Sequence, residues 1–247
     1  MPTLRRTIAL IGGISLISGG LAAVTTSSAL AAPDGSGLVI SEVYGSGANA
    51  GSNYTHDFVE LYNPTDAAIS VAGWSVQYRS AAGTSATVTP LAGSVAANSH
   101  YLVTMGAGAE DAVPTPDATG SAAMSGANGV VLLVPSLTPI TAQGDLKDDP
   151  TVVDTVGYGS TPTTFETVNT GVALTATTAA ARSAGGTDTN HNANDFTEGA
   201  PGPVACGEAC DPPPPTETEA TIAEIQGTEG ASELVGDVVT TRGVVTA

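Results

Sequence analysis

LVISEVY at residues 38–44 and DFVELY at residues 57–62 decide how this chain is read. Each is a short run of β-branched, aromatic and aliphatic side chains with acids set among them, the composition of a strand. A Gly/Ser/Asn-rich segment, 45–53, separates the two. Asn63-Pro64-Thr65-Asp66 ends the second run, because proline fixes φ and Asn caps the bend.

The pattern repeats along the chain. Strand signals recur at 69–71, at 75–79 after Gly73-Trp74, at 84–90, at 100–105 (HYLVTM), at 130–134 (VVLLV), at 152–158 (VVDTVGY) and at 174–182. The unbroken apolar run VVLLV is expected of a central strand. About seven or eight short strands divided by turns predict an all-β domain of two packed antiparallel sheets with Greek-key connections. Trp74, the single tryptophan, is expected to be the buried aromatic anchor between the sheets.

Charge narrows the function. The 247 residues carry 6 Lys+Arg and 24 Asp+Glu, a net charge of −18. Arg5 and Arg6 sit in the leader, leaving four basic residues (Arg79, Lys147, Arg182, Arg242) against all the acids. Nucleic-acid binders need clustered cations to displace counterions from phosphate, so no direct nucleic-acid binding is expected. A solvated acidic surface and cation binding both account for the acids.

Residues 1–31 read as a secretory signal peptide: a positive start, an apolar stretch at 8–24, and Ala29-Leu30-Ala31 before Pro33. The apolar stretch is too short and Gly-rich for a membrane span. The expectation is a secreted, extracellular protein with no membrane association after cleavage, by general or twin-arginine export. Cys206 and Cys210 stand in Cys-Gly-Glu-Ala-Cys. In an oxidising compartment a local disulfide is the expected pairing, with a thiolate metal site as the alternative.

Residues 204–220 form a Pro-rich linker in which Pro212–Pro215 favour a stiff polyproline spacer. Residues 221–247 begin a second domain. Val238-Val239 and Val244-Val245 flank Thr-Thr-Arg-Gly as a strand pair, which has nothing to bury its apolar face against. The chain is therefore expected to be the N-terminal part of a longer protein, with 221–247 loosely held.

The motifs LVISEVYGSG, THDFVELYNPTDAAISVAGWSVQY and HYLVTMGAGAE, with Arg182…Asp188-Thr189-Asn190…Asn194-Asp195-Phe196…Pro201-Gly202-Pro203 at the end, resemble the lamin tail domain in its bacterial form. The resemblance covers roughly 37–203 and implies an immunoglobulin-like β-sandwich. Residues 221–247 look like the opening of an OB-fold-like module. That module stands, in one class of secreted proteins, before a metal-dependent endonuclease/exonuclease/phosphatase domain. The resemblance implies part of an extracellular nuclease, whose Mg²⁺-type divalent metal and catalytic residues belong to a domain absent from these 247 residues.

Two acidic constellations are candidate Ca²⁺ sites. Glu42, Asp57 and Glu60 lie on the first two strands, where facing like charges destabilise a pair and a hard cation with oxygen ligands would relieve them. Offset acids, solvation or backbone amides would serve equally. Asp188, Asn190, Asn192 and Asp195 place oxygens along one loop. As an EF-hand it fails, because Ala193 and Gly199 occupy the positions of the turn glycine and the bidentate Glu. A turn rich in Asx hydrogen bonds is the other reading. His56, His100 and His191 lie on separate segments and form no recognised catalytic motif, so no catalytic residue is assigned within the chain.

Three functions are compatible with these features. The chain is a non-catalytic module that tethers or spaces the downstream catalytic domain of the same polypeptide, with a cell-surface or matrix polymer as a further partner. Alternatively it is part of a metal-dependent extracellular DNA endonuclease, or a free-standing secreted structural or adhesive protein.

Overall fold

The structure, a computed structural model, describes residues 37–106, 114–183, 186–206, 218–219 and 239–240. The signal peptide and nearly all of 207–247, including Cys210 and Val244-Val245, lie outside the described residues. The strands in chain order are β1 (Val39–Tyr44), β2 (Asp57–Tyr62), β3 (Ile69–Ser70), β4 (Ser75–Ser80), β5 (Thr87–Pro90), β6 (Ser94–Val95), β7 (His100–Met105), β8 (Ala118–Thr119), β9 (Gly129–Val134), β10 (Gly144–Asp145), β11 (Asp154–Tyr158), β12 (Thr164–Phe165) and β13 (Ala179–Arg182). A one-turn helix α1 (Asn192–Asp195) precedes β14 (Phe196–Gly199), and β15 (Thr218–Glu219) pairs in parallel with β16 (Val239–Thr240). The end of the expected linker thus joins a bridge to Val239–Thr240.

Two sheets form the sandwich. The first has six strands in the order β14-β13-β1-β2-β7-β8, and the second has four in the order β11-β9-β4-β5. The architecture is the expected all-β, immunoglobulin-like one. Between the sheets Val43, Val59, Leu61 and Val103 meet Val76, Tyr78, Val131, Leu133 and Val156 in one core.

Register in β1 depends on one irregularity. Ile40 pairs with Leu61 and Glu42 with Glu60, so Ser41 is an extra residue. Such a bulge switches which face the following side chains occupy. Leu38 and Ile40 point into the core before it, and Val43 after it. Without the bulge, Glu42 would follow Ile40 inward.

Both outer faces are also covered. Val130, Leu132 and Val134 pack with Ile140, Leu146 and Val152, so VVLLV is apolar throughout because alternate residues serve two cores. Along β4 the outward side chains hold the covering segment 136–142. The Ser75 hydroxyl donates to the Ser136 carbonyl, the Gln77 amide donates to Thr138 and accepts from Ile140, and Arg79 donates to the carbonyls of Ile140 and Ala142. On the other sheet Tyr44, Phe58, Leu102 and Ala179 form a third cluster under Tyr54 and Ala205.

Trp74 departs from expectation. It is only partly buried and packs against the core from its rim. It sits in the turn before β4, where its amide donates to the Val71 carbonyl. The aromatic residues buried in the core itself are Tyr78, Tyr101, Tyr158 and Phe196.

Candidate functional site

Two groups of carboxylates stand out, one on the outer face of the first sheet and one at the edge between the sheets. On the outer face Glu42 and Glu60 are directly opposed across β1 and β2, as the sequence suggested. Their repulsion is met by donors from the chain itself. The Gly202 amide donates to Glu42 Oε1 at 3.0 Å and the Val204 amide to Glu60 Oε2 at 2.6 Å. The Cys206 amide donates to Asp117 Oδ2 at 2.9 Å. Residues two apart thus dock on β1, on β2 and on the loop before β8, forming a clasp that crosses the sheet.

Glu60 Oε1 also accepts from Ser41 Oγ at 2.7 Å and pairs with His100 Nδ1 at 2.8 Å. Burial raises Glu42 from 4.5 to about 7; the Gly202 amide opposes this, and the Glu60 charge adds to it. Beside this pair lies a cleft of about 350 Å³ bordered by Glu42, Glu60, Tyr62, His100 and Arg182. Asp57 does not join them. Its two oxygens accept from the amides of Gly47 and Met124, both at 2.8 Å, fastening two loops to the start of β2. The backbone-amide reading of these three acids is the one the geometry supports.

The second group surrounds Arg182 at the end of β13. Its Nη2 meets Asp154 Oδ2 at 2.7 Å, while Nη1 meets Asp188 Oδ1 at 3.2 Å and Asp195 Oδ2 at 3.3 Å. Its Nε donates to the Ile40 carbonyl at 2.8 Å, and the guanidinium lies 4.6 Å from the Phe196 ring centroid. The β1–β13 ladder stops at Glu42. One step further, the Ile40 amide donates to Asp154 and its carbonyl accepts from Arg182. Burial disfavours the Arg182 charge, but the surrounding carboxylates outweigh it and hold its pKa above the ordinary value.

Glu166, just after β12, completes the group. It is 2 % exposed, accepts from the Thr155 amide at 3.0 Å, and receives the Asn192 amide at 3.2 Å. Burial, reinforced by the charges of Asp154 and Asp188, pushes it up to about 10. Burial also raises Asp154, against the pull of Arg182. A single guanidinium therefore faces four carboxyl groups in the interior, and burying such charge without compensation is costly.

The 188–195 loop is the Asx-rich turn. Asp188 Oδ1 accepts from the Asn190 amide at 2.9 Å, and Asn190 takes a φ of +53°, a conformation Asn tolerates well. The side chains then diverge. Asp195 accepts from the Thr189 amide and hydroxyl. Asn192 clamps β11, accepting from the Gly157 amide and donating to the Thr155 carbonyl. Gly157 must lack a side chain there, since a Cβ would run into the Thr164 carbonyl. Of the loop residues, Asp188 joins a trio that could hold a metal, and its companions are Asp154 and Glu166. Sequence reasoning missed those two. The only available signal was an acid inside each of two otherwise apolar or Thr-rich segments.

Cys206 is not a free thiol. Its expected partner Cys210 lies outside the described residues, and the pairing is kept as a proposal. Among the described residues, no helix is long and apolar enough to cross a membrane.

The fold and its clasp define an all-β sandwich domain with both outer faces covered. The chain belongs to the lamin tail domain family: the family model described as Lamin Tail Domain matches residues 31–160. Strands β13 and β14 extend the first sheet beyond that match, to Gly199. A solved structure of a DUF4876 family protein from Bacteroides thetaiotaomicron is similar at a TM-score of 0.43 and 12% identity, covering 71% of this chain and 74% of that one. No curated protein matches the chain.

Proposed function

We propose that this lamin tail domain is a non-catalytic mount that fixes and orients the polypeptide continuing past Cys206. The clasp carries this reading. Three alternate amides of 202–206 are tied to three carboxylates, so the chain leaves the sandwich at a defined place. The four prolines at 212–215 then favour an extended spacer, and a Cys206–Cys210 disulfide would stiffen the exit.

The finer reading is that the mount serves a secreted nuclease, exported by residues 1–31. The catalytic domain and its divalent metal would lie further along the same polypeptide. Its support is the likeness of residues 221–247 to the opening of an OB-fold-like module. A cell-surface or matrix polymer has a candidate surface in the cleft beside Glu42 and His100.

Two measurements test the proposal. Purified 32–247 should leave duplex DNA intact in millimolar Mg²⁺, and cleavage that co-purifies with the chain would overturn the non-catalytic assignment. Spin labels at Ala72 and Glu217 should give a narrow distance distribution that Glu60→Ala broadens. A broad distribution in the unaltered chain would refute the mount.

A further inference from the structure

Asp154, Glu166 and Asp188 each bring a carboxylate oxygen within 4.8 Å of the other two, and all three are buried. Two oxygens bound to one Ca²⁺ at ~2.4 Å are at most about 4.8 Å apart. One ion can therefore reach all three side chains with the backbone where it stands.

An independent observation points to a ligand. Asp154 Oδ1 and Asp188 Oδ2 are fully buried and accept no hydrogen bond, in residues that are both 0 % exposed. The Thr155 hydroxyl beside them is likewise buried and unpartnered. Orphaned buried acceptors are rare and destabilising. Arg182 does not satisfy these two oxygens, since its guanidinium is engaged by the other oxygen of each aspartate, by Asp195, and by the carbonyls of Ile40 and Thr187.

We propose that Asp154, Glu166 and Asp188 form a structural divalent-cation site, with Ca²⁺ as the best-matched ion. The donors are all oxygen and the ligands are anionic, which selects hard cations over Zn²⁺ or Cu²⁺. The ligands come from the start of β11, the turn after β12 and the loop after β13. A bound ion would cross-link three segments that are distant in sequence and seal the edge between the two sheets. The competing arrangement is a proton shared between Glu166 and one aspartate, which needs no metal.

The experiment is calorimetric titration of Ca²⁺ into the chelator-treated full chain, with thermal melting alongside. The expected result is one ion per chain, and a rise in melting temperature of about 5–10 °C at 100-fold excess over Kd. Glu166→Gln is nearly isosteric and keeps an acceptor for the Thr155 amide, so it should fold and lose most of the Ca²⁺ response. The double variant Glu42→Gln/Glu60→Gln should keep it. Absence of heat and of any melting shift with millimolar Ca²⁺, Mg²⁺ or Mn²⁺ overturns the proposal in favour of the shared proton. A full response in Glu166→Gln also overturns it. Should that variant fail to fold, a crystal of the unaltered chain grown in Ca²⁺ decides: density between the three carboxylates supports the site, and its absence there refutes it.

Discussion

The two carboxylate groups solve the same problem in opposite ways. Glu42 and Glu60 are neighbours of like charge on a sheet face, and chain segments that cross the face supply their donors. Asp154, Glu166, Asp188 and Asp195 are sealed between the sheets, where one guanidinium is the only cation and two oxygens go without a donor. Acids on a face can recruit backbone amides from a passing strand. Acids at a closed edge depend on whatever charge is buried with them.

Arg182→Met should produce the largest effect that separates the two groups. It removes the only cation facing the interior carboxylates, and breaking a buried ion pair in this way costs about 3–5 kcal/mol, read by urea denaturation. Arg79→Met provides the contrast. Arg79 is equally buried, but its hydrogen bonds go to two carbonyls and the Thr164 hydroxyl. Its removal should cost at least about 2 kcal/mol less, since the loss of neutral acceptors is partly offset by no longer burying a charge. Equal losses at the two positions would erase the distinction.

Breaking the clasp comes next. Glu60→Ala leaves the Val204 amide without its acceptor and should weaken local attachment by about 1–3 kcal/mol. Hydrogen exchange at Gly202, Val204 and Cys206 should accelerate by roughly tenfold or more while β9 stays protected. Uniform acceleration across both sheets would mean that the clasp is part of the global unfolding unit.

The smallest effect concerns pH. Folded Glu42 titrates near 7 against 4.5 in the unfolded chain. Between those values the folded state holds the extra proton, so this group's contribution is fully present below 4.5 and is lost as pH rises through 7. Glu42→Gln should flatten the stability profile in that window, by an amount on the order of 1–3 kcal/mol. A slope unchanged by the substitution would assign it to other groups.

The fold was legible because alternation and turn chemistry are local. DFVELY, HYLVTM and VVLLV appear where the sequence places them. The Ser41 bulge was not legible, because a one-residue slip leaves no trace in composition. Trp74 misled because residue type alone does not say whether a large ring sits at the centre of a sandwich or on its rim. The interior carboxylates were half visible. Asp188 stood out within an Asx-rich loop, whereas Asp154 and Glu166 reach it only through the closure of β11 and β12 against β13, pairings that span tens of residues. Glu42 and Glu60 were correctly placed together, but the donors that satisfy them come from Gly202 and Val204, more than 140 residues away.

The geometry of the clasp has a mechanical consequence. Its three hydrogen bonds are met in series along one extended segment, with Cys206 outermost. Tension on the polypeptide beyond that point falls on the Cys206 contact alone, then on Val204, then on Gly202, so the segment peels open at low force. Five residues of slack, about 17 Å at full extension, are released before the sheets themselves bear any pull.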